Sequence, residues 1–392
     1  MNRARWPGLL IAFAVLVASG GAAAQPATAP SRPAAIETVP GMPPVPDPAN
    51  LYSETASSKL QPAVSTALPR VYVPNHKSND VYVIDPATRK VVDKFRVGVN
   101  PQHVVPSYDL KTLWITNNAE GRTDGSLTPV DPATGKPGRP IRVDDPYNMY
   151  FTPDGRSAVV IAEALKRLDF RDPHTLKLQG SLAVPKCAGV NHADFSIDGR
   201  YLIATCEFQG SLVKVDWINR KVLGYLTLTG GGMPQDIRIS PDGRVFFVAE
   251  MKRGGVYVIN GDAFAEKEFI PTGVGTHGLY PSRDGKRLYI INRGSHHVSG
   301  PPGGKGSITV MDFATRRIEA TWVIPGGGSP DMGNVSVDGK TLWLSGRYDN
   351  VVYAIDTASG QVRIIPVGKE PHGLTVWPQP GRYSLGHTGN MR

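Results

Sequence analysis

The chain has 392 residues, 40% hydrophobic and 20% charged, with a formal net charge of +9. Its basic residues are scattered through Asp-Gly-Arg and Asp-Gly-Lys turns with no run and no interleaved aromatics, which describes a solvated surface and excludes a nucleic-acid partner. Length alone allows two or three domains, but one repeat fills most of the chain and points to a single large repeat domain.

In chain order, Arg3 and Arg5 precede an apolar run from Leu9 to Ala18 and the small residues Ala22-Ala23-Ala24. These are the parts of a secretory signal peptide over residues 1–24, with cleavage after Ala24. The run is too short to span a bilayer, so the mature protein is expected to be periplasmic or secreted, with no membrane span. Residues 25–68 are rich in Pro, Ala, Ser and Thr, as in Pro43-Pro44-Val45-Pro46-Asp47-Pro48, and read as a linker that cannot bury enough apolar surface to fold alone.

From Arg70 onward short apolar runs alternate with polar turns, the pattern of successive hairpins. The repeating unit is clearest at residues 273–292, Gly-Val-Gly-Thr-His-Gly-Leu-Tyr-Pro-Ser-Arg-Asp-Gly-Lys-Arg-Leu-Tyr-Ile-Ile-Asn. A loop leads to a polar residue, an apolar run, a turn ending in Asp-Gly and a second apolar run. The polar residue recurs at His103, Asn148, His192, Asp236, His277, Asp331 and His372, about 41 to 54 residues apart, the period of a four-stranded propeller blade. The third strand of each unit ends in Asp85, Asp131, Asp172, Asp216, Asn260, Asp312 or Asp356, residues suited to closing the next turn through their own backbone.

The chain begins with a second strand and finishes with a first strand, Gly373 to Trp377. Pairing the two closes a ring with no free sheet edge. The predicted fold is therefore all-β, a seven-bladed β-propeller of four-stranded blades over residues 69–380, followed by a C-terminal tail over 381–392. One unit carries a Gly/Pro-rich insertion at residues 293–306, where inserted loops often carry function.

The runs Tyr72-Val-Pro-Asn75 and Trp114-Ile-Thr-Asn117, each followed by a Val-rich strand and Asp-Pro-Ala-Thr, resemble the YVTN-repeat (YncE-like) family of secreted seven-bladed propellers over roughly residues 70–378. The resemblance implies the fold; the family's members do not share one activity. More distantly the architecture is similar to the propeller domains of nitrite reductase, which holds a haem-like ring, and nitrous oxide reductase, which holds copper. Neither a haem-attachment Cys-x-x-Cys-His nor a cupredoxin domain is present in the sequence. Lactonases are a further seven-bladed analogy.

In a propeller the first strands line the central channel, so His103, His192, Asp236, His277, Asp331 and His372 are expected to converge at its mouth. The rim around them is expected to hold Asn75, Asn117, Asn148, Glu163, Glu207, Glu250, Asn292 and Arg347. Four imidazoles with two carboxylates suit a transition metal (Cu, Fe or Zn) or a haem-like cofactor. An organic or anionic ligand, or a purely structural ring that satisfies loop amides, are the alternatives. As an enzyme the protein would be a metal-dependent lactonase or oxidoreductase with Glu207 or Glu250 as general base. As a scaffold it would hold a periplasmic protein partner on its rim, and a monomer is expected. Cys187 and Cys206 lie in neighbouring loops of one face; in an oxidising compartment they are expected to form a disulfide, with a reduced Cys-Cys-His metal site as the alternative. His296 and His297, in the insertion, and His76, His174 and His387 read as surface residues.

Overall fold

The structure, a computed structural model, describes residues 1–4, 7–10, 12, 14, 35–387 and 390–392. The expected signal-peptide cleavage site and the linker up to residue 34 lie outside the described residues. The chain divides into Met1–Ala34 and Ala35–Arg392, and the fold lies in the second unit. No helix among the described residues is long and apolar enough to cross a membrane.

Among the described residues the strands form seven antiparallel sheets set in a ring, a seven-bladed propeller. In the fourth blade the order outward from the axis is Val190–Phe195, Leu202–Cys206, Ser211–Asp216 and Lys221–Thr227. Burial follows composition. Leu202–Cys206 is covered on both faces by neighbouring blades and is apolar apart from Thr205, whereas Lys221–Thr227, the outermost strand, is only partly covered and exposes Lys221, Leu223 and Thr227. The turns between third and fourth strands close as their acidic residues require: Asp85 Oδ1 accepts the backbone N–H groups of Ala87 at 2.9 Å and Thr88 at 3.0 Å. In the second blade the outer strand is broken into Lys136–Pro137 and Ile141–Arg142, because Pro137 and Pro140 have no N–H to add to the ladder.

The ring closes as the repeat count requires. Thr375–Trp377 is the innermost strand of the first blade, with Trp377 opposite Arg70, Val376 opposite Val71 and Thr375 opposite Tyr72. Closure completes the first blade and leaves only the short outer edges of the blades.

Residues 35–68 differ from the expected spacer. Val39, Met42, Leu51, Tyr52 and Val64 are buried against the propeller, on the face that carries the Asp-Gly turns. The Leu51 N–H donates to Pro241 O at 2.7 Å, the Val39 N–H to Asp198 O at 3.0 Å, and the Tyr52 hydroxyl to Ile239 O at 2.6 Å. The stretch has too few apolar residues to make a core, yet those few are enough to adhere to a surface already built. The C-terminal tail is packed into the fold as well. Gln379, Ser384, Leu385, His387, Asn390, Met391 and Arg392 are buried, and the tail enters the channel from the same turn-bearing face. It is anchored by the Phe151 N–H donating to Leu385 O at 3.1 Å and by Arg392 Nη2 on Asp194 Oδ1 at 2.7 Å.

Candidate functional site

What aims the polar ring at the axis is a bulge in the inner strand. The pairing of first and second strands slips between Pro101 and Val104, Val190 and Ala193, Pro234 and Ile237, Thr276 and Gly278, and Pro330 and Gly333. The residues released are those of the repeat: His103, His192, Asp236, His277 and Asp331. A bulge leaves a residue unpaired and re-aims its side chain. The hydroxyl of the opposing strand fills the gap in the ladder: the His103 N–H donates to Thr116 Oγ1 at 3.1 Å and the His192 N–H to Thr205 Oγ1 at 3.2 Å. In the first blade His372 sits in the loop before the closing strand. Gly373 lets it and its neighbour approach, since a Cβ there would lie 2.0 Å from His103 Nδ1.

Five of the described histidines meet in the channel, and all five are buried. The His103 ring centroid lies 4.5 Å from that of His387, 4.8 Å from His372 and 5.6 Å from His192, and His192 lies 4.7 Å from His387. The ligating nitrogens of His103, His192 and His387 all fall within 4.8 Å of one another. His387 was expected at the surface; the tail carries it into the centre of the ring. The sequence signal for it was faint, a single His-bearing segment left over after the strand that closes the circle.

These imidazoles differ in what they have left to offer. Asp331 accepts from Arg293 Nε at 2.9 Å and Nη2 at 2.7 Å, and lies 3.0 Å from His277 Nδ1. Arg293 also contacts His277 Nε2, so both nitrogens of His277 are engaged. His372 Nδ1 lies 2.6 Å from Asp331 Oδ2. A carboxylate can only accept, so the ring proton sits on Nδ1 and Nε2 presents a lone pair, the arrangement that orients metal-bound histidines. His372 Nε2, His192 Nε2 and both nitrogens of His103 and His387 have no hydrogen-bond partner although fully buried.

Burial drives the imidazoles toward the neutral form. It lowers the pKa of His372 to about 4, helped by Arg347 and opposed by Asp331. Burial, with the other imidazoles adding to it, holds His103, His192 and His387 well below the usual histidine range. For Asp331 burial acts against ionisation, but Arg293, His277 and His372 together outweigh it and hold the carboxyl well below its ordinary value.

Above the imidazoles the channel opens into a cavity of about 330 Å³, whose lining includes His277, Arg293, Arg347, Glu163, Glu207 and Tyr147. Tyr147 forms its floor, its ring 5.4 Å from that of His103. Burial, then the neighbouring Glu207, pushes the Glu163 carboxyl well up, and burial likewise raises Glu207. A larger groove of about 620 Å³ lies on the opposite face near Asn50, Pro241 and Phe313, away from these groups. Its lining holds no histidine, whereas the smaller cavity opens onto the buried imidazoles.

Of the expected rim, Glu163, Glu207 and Arg347 face this mouth. Asn75, Asn117 and Asn292 turn instead into their own hairpins: Asn75 Nδ2 donates to Asp80 Oδ1, Asn117 Nδ2 to Ser126 O and Asn292 Nδ2 to Ser307 Oγ, each at 3.0 Å. Glu250 accepts the N–H groups of Met233 at 2.7 Å and Lys252 at 2.9 Å, which ties down loops and removes it as a base. Asn148 reaches inward, Nδ2 lying 3.3 Å from His192 Nδ1. Asp236 is satisfied by the Leu279 N–H at 3.0 Å and by Arg238 at 3.3 Å, and its oxygen stays 4.0 Å from His387 Nε2. His76 is not at the surface but buried between Glu120 at 3.1 Å and Glu370 at 3.4 Å. His174, His296 and His297 are exposed, as expected. Cys187 and Cys206 are joined in a disulfide, which fixes the loop leading to Gly189 beside Glu207 and leaves no thiolate for a Cys-Cys-His site.

A family model described as YNCE-like beta-propeller matches residues 33–380. No curated protein matches the sequence significantly. Among solved structures the chain is similar to the periplasmic gluconolactonase PpgL of Pseudomonas aeruginosa, with 20% identity and a TM-score of 0.63 over 78% of this chain and 98% of that one. It is similar to hydrazine synthase of Kuenenia stuttgartiensis, with 21% identity and a TM-score of 0.57 over 78% of this chain and 94% of that one. It is also similar to the dihydro-heme d1 dehydrogenase NirN, with 16% identity and a TM-score of 0.56 over 82% of this chain and 80% of that one. At these identities the likeness shows the fold alone.

Proposed function

The chain belongs to the YNCE-like beta-propeller family, and from that scaffold we propose that it binds a transition-metal ion on the imidazoles at the centre of its channel. The observation that carries this reading is the set of unpartnered nitrogens on His103, His192, His372 and His387 in a fully buried site. A buried polar group without a partner costs about 1–3 kcal/mol, and several facing one point are accounted for together by one ion. Neutral imidazole is also the form that ligates. Nitrogens bound to one tetrahedral ion at about 2.0–2.1 Å lie roughly 3.4 Å apart, so small ring rotations bring the observed set, within 4.8 Å, onto a single centre.

Copper, iron or zinc suits such a donor set. A haem-like macrocycle does not, because rings with centroids 4.5–4.8 Å apart leave no plane between them for it. In this reading His103, His192 and His387 hold the ion, His372 completes or exchanges at the fourth position under the control of Asp331, and Arg293 with His277 keeps that carboxylate in place. Bound at such a site, the ion supplies Lewis acidity or redox capacity. The expected home of the mature chain is the periplasm or the extracellular space.

Elemental analysis with visible absorption on mature, tag-free protein tests this. Near-stoichiometric Cu, Fe or Zn is expected, lost in the triple variant His103→Ala, His192→Ala, His387→Ala. Protein that is metal-free and takes up none on addition overturns the reading. A second reading, a metal-dependent lactonase or oxidoreductase, is favoured by the buried Glu207 carboxyl in the cavity above the same imidazoles. Turnover abolished by chelation would support it.

A further inference from the structure

The cavity above the imidazoles has a lining that the metal reading does not use. Gln102 is buried, its Nε2 donates to Asn118 Oδ1 at 3.3 Å, and its Oε1 accepts nothing. Arg347 Nε is buried and donates to nothing, and the nearest approach of its guanidinium to a carboxylate is a long 3.7 Å to Asp331. Glu207 accepts from Asn191 Nδ2 at 3.1 Å and keeps further lone pairs free. Glu163 faces Glu207 and Arg347 across the space. At the lip Phe208 is 59% exposed, an aromatic ring lying over Gly189 beside Ala188, with its outer face open.

We propose that this mouth is a binding site for a monosaccharide-sized, polyhydroxylated ligand carrying one carboxylate, a sugar acid. Vicinal hydroxyls both donate and accept, and they are matched by carboxyl and amide groups with unfilled capacity on each side. The C–H face of a sugar ring packs on an exposed aromatic, which otherwise gains nothing from lying open to water. The volume, about 330 Å³, is that of a small-ligand pocket. The single carboxylate is directed to the guanidinium of Arg347, which lines the cavity and has no close carboxylate partner.

Other ligand classes fit less well. A divalent cation would meet two guanidiniums in the lining, Arg293 and Arg347, and among the described residues the only three-donor cluster is the histidine set below. A phosphorylated ligand would bring a second negative charge, and the lining offers one guanidinium without a close carboxylate, Arg347, since Arg293 is held by Asp331.

The site is independent of the metal reading, and calorimetric titration separates the two. D-glucuronate and D-glucose are titrated into the full chain, both as purified and after chelation, with metal content measured on the same samples. D-glucuronate is expected to bind one per chain with Kd below about 1 mM, and D-glucose about tenfold more weakly. Phe208→Ala and Glu163→Gln are each expected to weaken binding about tenfold while metal content and circular dichroism stay unchanged. Arg347→Gln is expected to erase the preference for the acid. Binding of neither sugar, or binding that survives the Phe208→Ala/Glu163→Gln double variant, overturns the proposal. Equal affinity for the two sugars overturns the assignment of Arg347. Stoichiometric metal without sugar binding refutes this site alone, and sugar binding by metal-free protein upholds it even where the metal reading fails.

Discussion

Acid should loosen the protein through its own imidazoles, and His372 allows the effect to be sized. Burial lowers its pKa from 6.5 to about 4. A depressed pKa means that the unfolded chain binds the proton first: the contribution of His372 is whole above pH 6.5 and is lost as the pH falls toward about 4. At about 1.36 kcal/mol per unit, the 2.5 units between 6.5 and 4 amount to about 3 kcal/mol. Total acid stability will not show this cleanly, because Asp145 is raised by burial to about 6 and works in the other direction, its contribution growing as the pH falls through that value. The difference between the wild type and His372→Gln isolates the imidazole, since glutamine keeps a donor for Asp331 and does not titrate. Urea unfolding of chelated protein from neutral pH to about pH 4 should show the stability advantage of wild type over the variant shrinking by about 3 kcal/mol. An advantage constant to within about 0.5 kcal/mol, the usual error of additivity, would refute the claim that His372 is held neutral by burial.

Removing the disulfide with Cys187→Ala/Cys206→Ala should cost about 3 kcal/mol, from the loop that a sequence separation of 19 closes, read as a lower urea midpoint. Asp194→Ala should cost roughly 3–5 kcal/mol, because it leaves the Arg392 guanidinium buried without its carboxylate. Differential scanning calorimetry checks it. Added metal at about 100 times its dissociation constant should stabilise the protein by about 2.7 kcal/mol. His387→Ala should lose most of that gain without losing the fold.

The ring was legible because the repeat is enforced by physics at every turn of the chain. Inner-strand bulges recur at one place in five of the seven units, so the residue they release recurs too; His103, His192 and His277 could be picked out by position, and His372 by the same sequence period although it sits in a loop. Position did not tell which of them was spent. His277 is engaged by Arg293, and Asp236 by Arg238 two residues along its own strand. The first pairing depends on a loop that only the folded blade brings over the histidine, and the second on a side-chain direction that the repeat does not specify. The strand-end amides Asn75, Asn117 and Asn292 looked equivalent to Glu207 in register, yet a short amide next to a hairpin bonds locally before it reaches outward. His387 and residues 35–68 lie outside the repeat. Their places depend on a surface that exists only once the blades have formed.

Circular closure also imposes an order in time. The strand Thr375–Trp377 belongs to the first blade but comes after every other strand of the ring in chain order, so a growing chain is an open arc with an unmatched edge at each end until that strand has been made. His372 and His387 travel with that segment. A chain lacking that segment thus holds only part of the imidazole cluster, so on the proposed metal reading an ion would find its full donor set only after the ring has closed. Closure of the ring and completion of the donor set would then be one event.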